Sequence, residues 1–363
     1  MTKQRNANYD LLRVVSMIAV IMIHVSSQWV GSFSRFVAAG GRVEDLTNPL
    51  SACFWSSISR FAVPCFLMLS GAFLLDDDRT ANYIAFYKNR IKNVFVPTAL
   101  FSVLYFIYRI IICVLANGAD LKQLAFVLYD FVRGEPFYHM WYLYMLLGVY
   151  LLAPIVMRLK KEISYDTFRK IVFLFLVLAT LSGWTTENVR MNWSVGQSFE
   201  YLGYFMVGFV IKQDATKNNT KGTMLIIIGF LIEIVTSFVE YKFQIVEGIH
   251  ETELAFRIVS PFSPPIVVAS VLIFSGFAMV DIKNSSAIDY LSKKSFTVFL
   301  FHAGVIDFFE KLLKQIKGKS FIMTLNNLYY IPLFVVAVFL ISLLLSIAYD
   351  KIKVFYLRKY ATA

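Results

Sequence analysis

Arg13 and His24 are the residues whose type and spacing first point to chemistry. They lie in residues 9–30, YDLLRVVSMIAVIMIHVSSQWV, an apolar stretch of 22 residues, long enough to cross a bilayer as a helix. They are eleven residues apart, so helix rise and rotation put them about 16 Å apart along the axis and about 20° apart around it. One face of this helix therefore carries a guanidinium near one end and an imidazole toward the other. Asp10, three residues before Arg13, shares that face closely enough to pair with it. Ionisable groups inside a membrane span are costly, face the bundle interior or a hydrated cavity, and mark function. A structural Asp10–Arg13 pair, with His24 bonded to a neighbouring helix, accounts for the same pattern. Histidine titrates near pH 6.5, so in the chemical reading His24 is a general base.

The elements that position these residues follow from composition. The chain of 363 residues is 58% hydrophobic, 17% aromatic and only 16% charged, and its mean hydropathy is +0.63. Soluble domains are about 25% charged, so this is an all-α, polytopic transmembrane helix bundle. About ten spans are expected, at 9–30, 50–75, 93–116, 139–157, 171–186, 195–211, 223–241, 261–280, 295–312 and 327–349, within one membrane domain over residues 1–363. The net charge of +11 does not imply nucleic acid, because the basic residues lie in short loops between apolar spans. With cytoplasmic termini, those loops hold 21 Lys and Arg on the inside against 11 outside, the bias of the positive-inside rule. Arg13, Arg60 and Arg109 remain within spans. Cys53, Cys65 and Cys113 keep no metal or redox spacing and read as packing residues.

With that orientation His24 lies in the outer half of the membrane. Arg60 comes about ten residues into the second span, roughly 15 Å deep, where a charge needs a partner or water. Pro64, at i+4, is where a helix bends and frees a carbonyl. Ser70-Gly71 permits close helix approach. Lys88, Arg90 and Lys92 sit where the third helix leaves the cytoplasm; their spacing suits lipid-headgroup anchoring and a phosphate site equally. Residues 124–132 read as an interfacial helix. His139 and Trp141 open the fourth span as belt residues do, but His139 falls on the same side as His24. The fifth to eighth spans hold few titratable groups beyond Glu200, Glu233 and Glu240. His302 brings another histidine into the membrane, and His250 lies in an outer loop. No metal is expected: the membrane histidines lie on different helices, and no carboxylate keeps a ligand spacing with any of them.

The ordered set of motifs resembles the acyltransferase-3 family of bacterial membrane O-acyltransferases. Arg13-x10-His24 matches its signature on the first helix. Arg60-Phe-Ala-Val-Pro64-Cys-Phe-Leu-Met-Leu-Ser70-Gly71, Lys88-x-Arg90 before Pro97, His139-x-Trp141-Tyr-Leu with Pro154, Gly203-Tyr-Phe-Met-Val-Gly208 and Ser295…His302 follow in order over essentially the whole chain. The resemblance implies a ten-helix fold in the bacterial cytoplasmic membrane. It implies transfer of an acyl group, usually acetyl, from cytoplasmic acyl-CoA to a hydroxyl of an envelope glycan or lipid-linked sugar. Many relatives carry a fused extracytoplasmic hydrolase-like domain. The sequence stops at Ala363 without one, so transfer is expected to finish in the membrane part or with an extracytoplasmic partner or a second copy of the chain.

Physical chemistry fits that expectation. Cations at the cytoplasmic mouth hold CoA phosphates, and the rise from Arg13 to His24 is about what an extended pantetheine arm covers. Arg13 then orients the donor or pairs with Asp10, and Arg60 stabilises a thioester oxyanion or binds a phosphate. The competing expectation is a transporter or flippase of an anionic or polyprenyl-linked precursor, with Arg13, Arg60 and Arg109 lining its path.

Overall fold

The structure is a computed structural model that describes residues 6–41, 45–76, 83–118, 120–185, 194–246, 257–317 and 326–361; His250 lies outside these. Among them every regular element is helical. Seven helical segments are long and apolar enough to cross a membrane: Ala7–Val37, Thr47–Leu74, Tyr83–Leu115, Trp141–Glu162, Asn219–Val246, Arg257–Met279 and Asn327–Val354. Helices also form at the other three expected places, Tyr165–Thr185, Ser198–Asp214 and Ser286–Lys317. These are less apolar or shorter. Ser286–Lys317, for example, carries Asp289, Lys293, Lys294, Asp307, Glu310 and Lys311.

The chain divides into two compact units. The first is Met1–Phe66 with Ala215–Ala363, and the second is Leu67–Asp214. In the first unit, α1 (Ala7–Ala38) packs against α2 (Thr47–Ser57) and against α12 (Ser286–Lys317); α13 (Asn327–Ala361) packs on both α1 and α12. There too α10 (Asn219–Tyr241) pairs with α11 (Pro264–Met279) and α2. Leu333, Val336, Leu340 and Leu344 form an exposed apolar stripe along α13, a costly surface in water and an ordinary one in lipid.

The second span is interrupted. Helix α2 ends at Ser57 and α3 (Ala62–Leu74) begins after a four-residue turn. Pro64 explains the position: it offers no N–H to the Arg60 carbonyl four residues back, and its ring crowds that carbonyl. The ladder tightens to i→i−3 bonds through the turn, as from the Arg60 N–H to Ser57 O at 3.0 Å.

In the second unit, α4 (Tyr83–Arg90) runs through a π-helical turn, Ile91–Phe95, into α5 (Val96–Asn117). The short helix expected near 124–132 forms as α6 (Leu121–Val132), its side chains mostly exposed. Helices α7 (Trp141–Glu162), α8 (Tyr165–Thr185) and α9 (Ser198–Asp214) complete the unit. The expected close approach at Gly71 is real and reciprocal. A Cβ at Gly71 would lie 1.6 Å from Phe205 O, and one at Gly208 would lie 2.0 Å from Met68 O. Only glycine allows α3 and α9 to cross there.

Candidate functional site

Helices α1 and α12 pair side by side at three levels. At one end Ser292 Oγ donates to Asp10 Oδ1 at 2.5 Å, and Arg13 Nη1 donates to Ser292 Oγ at 2.8 Å and to Asp10 Oδ1 at 3.0 Å. The Asp10–Arg13 pair expected from spacing therefore exists, closed into a triangle by a serine from another helix. At the next level the rings of His24 and His302 lie 5.3 Å apart, tilted by 31°. Beyond them Gln28 faces Glu310 across the same seam. From Asp10 to Gln28 and from Ser292 to Glu310 are each 18 residues, or about 27 Å of helix, so the two helices run parallel and nearly in register.

His302 is fully buried. Its Nδ1 lies 2.6 Å from the Phe299 carbonyl, which only accepts, so Nδ1 carries the proton. In the neutral ring Nε2 is then an acceptor. His24 keeps part of its surface open, so of the two rings it is the more accessible.

Arg60 occupies the turn between α2 and α3. Its Nη2 donates to Ser56 Oγ at 2.7 Å and to Glu240 Oε1 at 3.3 Å. Glu240, almost fully buried, also accepts from Ser57 Oγ at 2.8 Å. One turn of α10 carries Glu240 and, two turns earlier, another carries Glu233, whose Oε2 accepts the Arg60 backbone N–H at 3.2 Å. The Arg60 N–H is thus shared between Ser57 O within the turn and the Glu233 carboxylate from α10. Arg60 Nε and Glu233 Oε1 are both buried without a hydrogen-bond partner among the described residues. Arg60 lies within electrostatic reach of His24, so the imidazole pair and the arginine form one cluster inside the first unit. Chemically, such a cluster accepts a proton at His24 and directs one spare N–H at a carbonyl or oxyanion. Among the described residues no group of three or more His, Cys, Asp or Glu gathers to hold a metal ion.

The remaining expected residues belong to the second unit. Lys88 and Lys92 are exposed, whereas Arg90 is half-buried with its guanidinium over the rings of Phe86 and Tyr150, at 5.5 and 5.4 Å. The π-turn that follows Arg90 shifts the helical register, a feature common at functional sites. The end of α3 is capped by Lys160 on Leu75 O and by Lys212 on Ala72 O, two cations the sequence reading left in loops. His139 is buried against Tyr105, Phe137 and Tyr138. Trp141 lies against Tyr201, ring centroids 5.9 Å apart and tilted by 40°, and Glu200 sits in the first turn of α9. Arg109 pairs with Asp130 of α6 at 2.8 Å.

Sequence reasoning passed over Glu233 and Glu240 as functional residues, and it missed Ser56, Ser57, Ser292 and Glu310. For the first two a signal existed: carboxylates seven residues apart on one face of an apolar span. The others are polar residues without a pattern until the fold brings them together.

This is a multi-pass α-helical membrane protein with a buried histidine–arginine–carboxylate cluster. The acyltransferase domain of the acyltransferase-3 family matches residues 6–347, nearly the whole chain, and the protein belongs to that family of membrane acyltransferases. No curated protein and no solved structure matches the chain.

Proposed function

We propose that this acyltransferase takes an acyl group, acetyl in the usual case, from acyl-CoA on the cytoplasmic side of the bacterial membrane and transfers it to a hydroxyl of an envelope glycan or lipid-linked sugar. The observation that carries the reading is the buried cluster of His24, His302 and Arg60. In the proposed reaction the acceptor hydroxyl approaches His24, which takes its proton as the oxygen attacks the thioester carbonyl. Arg60 Nε–H donates to the oxyanion of the tetrahedral intermediate. The C–S bond then breaks, and the proton on His24 passes to the departing thiolate, which leaves as CoA thiol. His302, with its tautomer fixed by Phe299, leaves Nε2 an acceptor in the ring that lies beside the imidazolium His24 becomes. Arg13 with Asp10 orients the donor arm; in the second unit Arg90, its guanidinium over the rings of Phe86 and Tyr150, is the proposed contact for a phosphate or adenine.

Pairing of the intramembrane arginines also favours this reading over a transporter of anions. Arg13, Arg60 and Arg109 each meet a carboxylate, Asp10, Glu240 and Asp130, so none offers an uncompensated charge to line an anion path. The deciding experiment is free-thiol release from acetyl-CoA by the purified protein supplied with envelope glycan as acceptor, joined to comparative mass spectrometry of envelope glycans with and without the gene. A protein that binds no CoA and releases no thiol, from cells whose glycans are unchanged by the deletion, is not the enzyme proposed.

A further inference from the structure

Beyond His24, away from Asp10, the seam between α1 and α12 opens into a cleft that the proposed chemistry leaves unused. Its walls are Gln28, Trp29 and Ser32 of α1, Glu310 of α12, and Tyr330 and Phe334 of α13. About 360 Å³ of space lies between them, mouth included, of which about 40 Å³ is deep enough to admit water. The cleft therefore takes the edge or face of one ring and leaves the rest of a ligand outside.

Three observations say what kind of ring. The first is an aromatic wall: Tyr330 and Phe334 stack at 5.6 Å and 15°, and Trp29 meets Tyr330 edge-on at 5.4 Å. Tryptophan and tyrosine at a membrane boundary are ordinarily belt residues, but a belt side chain meets lipid headgroups, and Trp29 is only 5% exposed. Second, the polar groups gather opposite that wall. The Gln28 amide meets both oxygens of the Glu310 carboxylate, which requires its nitrogen on that side and turns its carbonyl away as an acceptor; the Ser32 hydroxyl lies one turn further on. Third, Glu310 sets a carboxylate in the lining, an acceptor that suits hydroxyl donors. A ligand with apolar C–H faces and a rim of uncharged hydroxyls satisfies all three: the faces pack on the aromatic rings, and the rim meets carboxylate, amide and serine.

We propose that this cleft is the acceptor subsite and holds one uncharged pyranose ring against Tyr330 and Phe334, its hydroxyls bound by Glu310, Gln28 and Ser32. This assignment rests on the acyl-transfer reading, and it adds where the sugar lies. Gln28 is one turn, about 6 Å, from His24 on nearly the same face, so a hydroxyl on the inner rim of that ring points toward the general base.

The test uses the full chain in lipid nanodiscs and three probes: the methyl glycosides of N-acetylglucosamine, mannose and galactose. Saturation-transfer NMR reads which sugar protons touch the protein. Wild type is expected to saturate the ring protons of at least one glycoside. Glu310→Gln, nearly isosteric, is expected to lower that signal on the order of tenfold, as loss of one charge-assisted bond does, and Tyr330→Leu, which removes the ring the sugar packs on, to lower it by a similar factor. Tyr330→Phe keeps the ring and serves as the variant least disturbed in fold; it is expected to retain most of the signal. No saturation in wild type, or full saturation in both Glu310→Gln and Tyr330→Leu, overturns the subsite. Thiol release from acetyl-CoA in membranes that supply the native envelope acceptor, with no glycoside probe added, judges the acyl-transfer reading separately. Glycoside binding without thiol release leaves the subsite standing and removes the reaction, and the converse removes the subsite alone.

Discussion

The rings of His24 and His302 lie 5.3 Å apart, although 278 residues of chain separate them. In the proposed reaction the first meets the acceptor and the second lies beside the charge that forms. The two differ in access: His24 is part-open and His302 is fully buried.

In the proposed reaction His302 is a positioning residue rather than a second base. His302→Gln is expected to lower kcat by about tenfold to a hundredfold, at the lower end of what acid–base assistance contributes, with KM for acetyl-CoA unchanged. Phenylalanine, which fills the volume without a nitrogen, should lose more activity than glutamine at equal thermal stability. Equal kcat in wild type and His302→Phe would reduce the residue to packing.

Arg60 and Glu240 give a stability prediction. Removing one partner of a buried pair costs about 3–5 kcal/mol because the other charge stays uncompensated. Glu240→Leu alone is expected to melt well below wild type, whereas Arg60→Met with Glu240→Leu recovers most of the loss and remains inactive. Both are read by thermal melting and thiol release. A double variant no more stable than the single one means that Glu240 does not answer Arg60.

At the mouth, Lys88, Arg90 and Lys92 are not equivalent. Only Arg90 turns into the second unit and lies over aromatic rings. Arg90→Ala is expected to raise KM for acetyl-CoA by the loss of a charge-assisted contact, about 1.5–3 kcal/mol. Lys88→Ala and Lys92→Ala should leave KM near wild type and weaken attachment to anionic lipid instead. Equal KM effects in all three would restore a phosphate site built from the whole cluster.

The Arg13–His24 face is legible in the sequence because helical periodicity alone fixes it, and so is the Asp10–Arg13 pair. The break at Arg60 is legible as well, since Pro64 dictates which carbonyl loses its donor. The partners of these groups are not. Ser292, His302 and Glu310 line up with α1 only because α12 runs parallel to it, a tertiary fact that no local pattern encodes. Glu233 and Glu240 stand between: their seven-residue spacing marks one face, but only the packing of α10 on α2 shows that the face meets Arg60. The same limit applies to counting spans. Helix α12 carries its charged residues along with its apolar ones, so hydropathy alone undervalues a helix that lines the site.

His24 carries the proposed chemistry, and its variants separate a base from a structural group. Its seam neighbours differ in kind on its two sides: Arg13 with Asp10 and Ser292 toward one end, Gln28 with Glu310 toward the other. Donor contacts at Arg13 and Arg90 do not depend on the imidazole, so His24→Gln and His24→Ala should bind CoA as wild type does. Removing a general base costs roughly 10²- to 10⁴-fold in rate, so both are expected to transfer acyl groups at least a hundredfold more slowly. A structural histidine behaves otherwise: glutamine keeps a hydrogen-bonding group and restores activity, while alanine loses yield and thermal stability in step with rate. The measurement is single-turnover transfer from labelled acetyl-CoA in nanodiscs, with CoA affinity and melting temperature on the same preparations. Near-normal turnover in His24→Gln would end the catalytic assignment. Loss of rate with intact CoA binding and an unchanged melting temperature leaves the proton as the one thing the substitution removed.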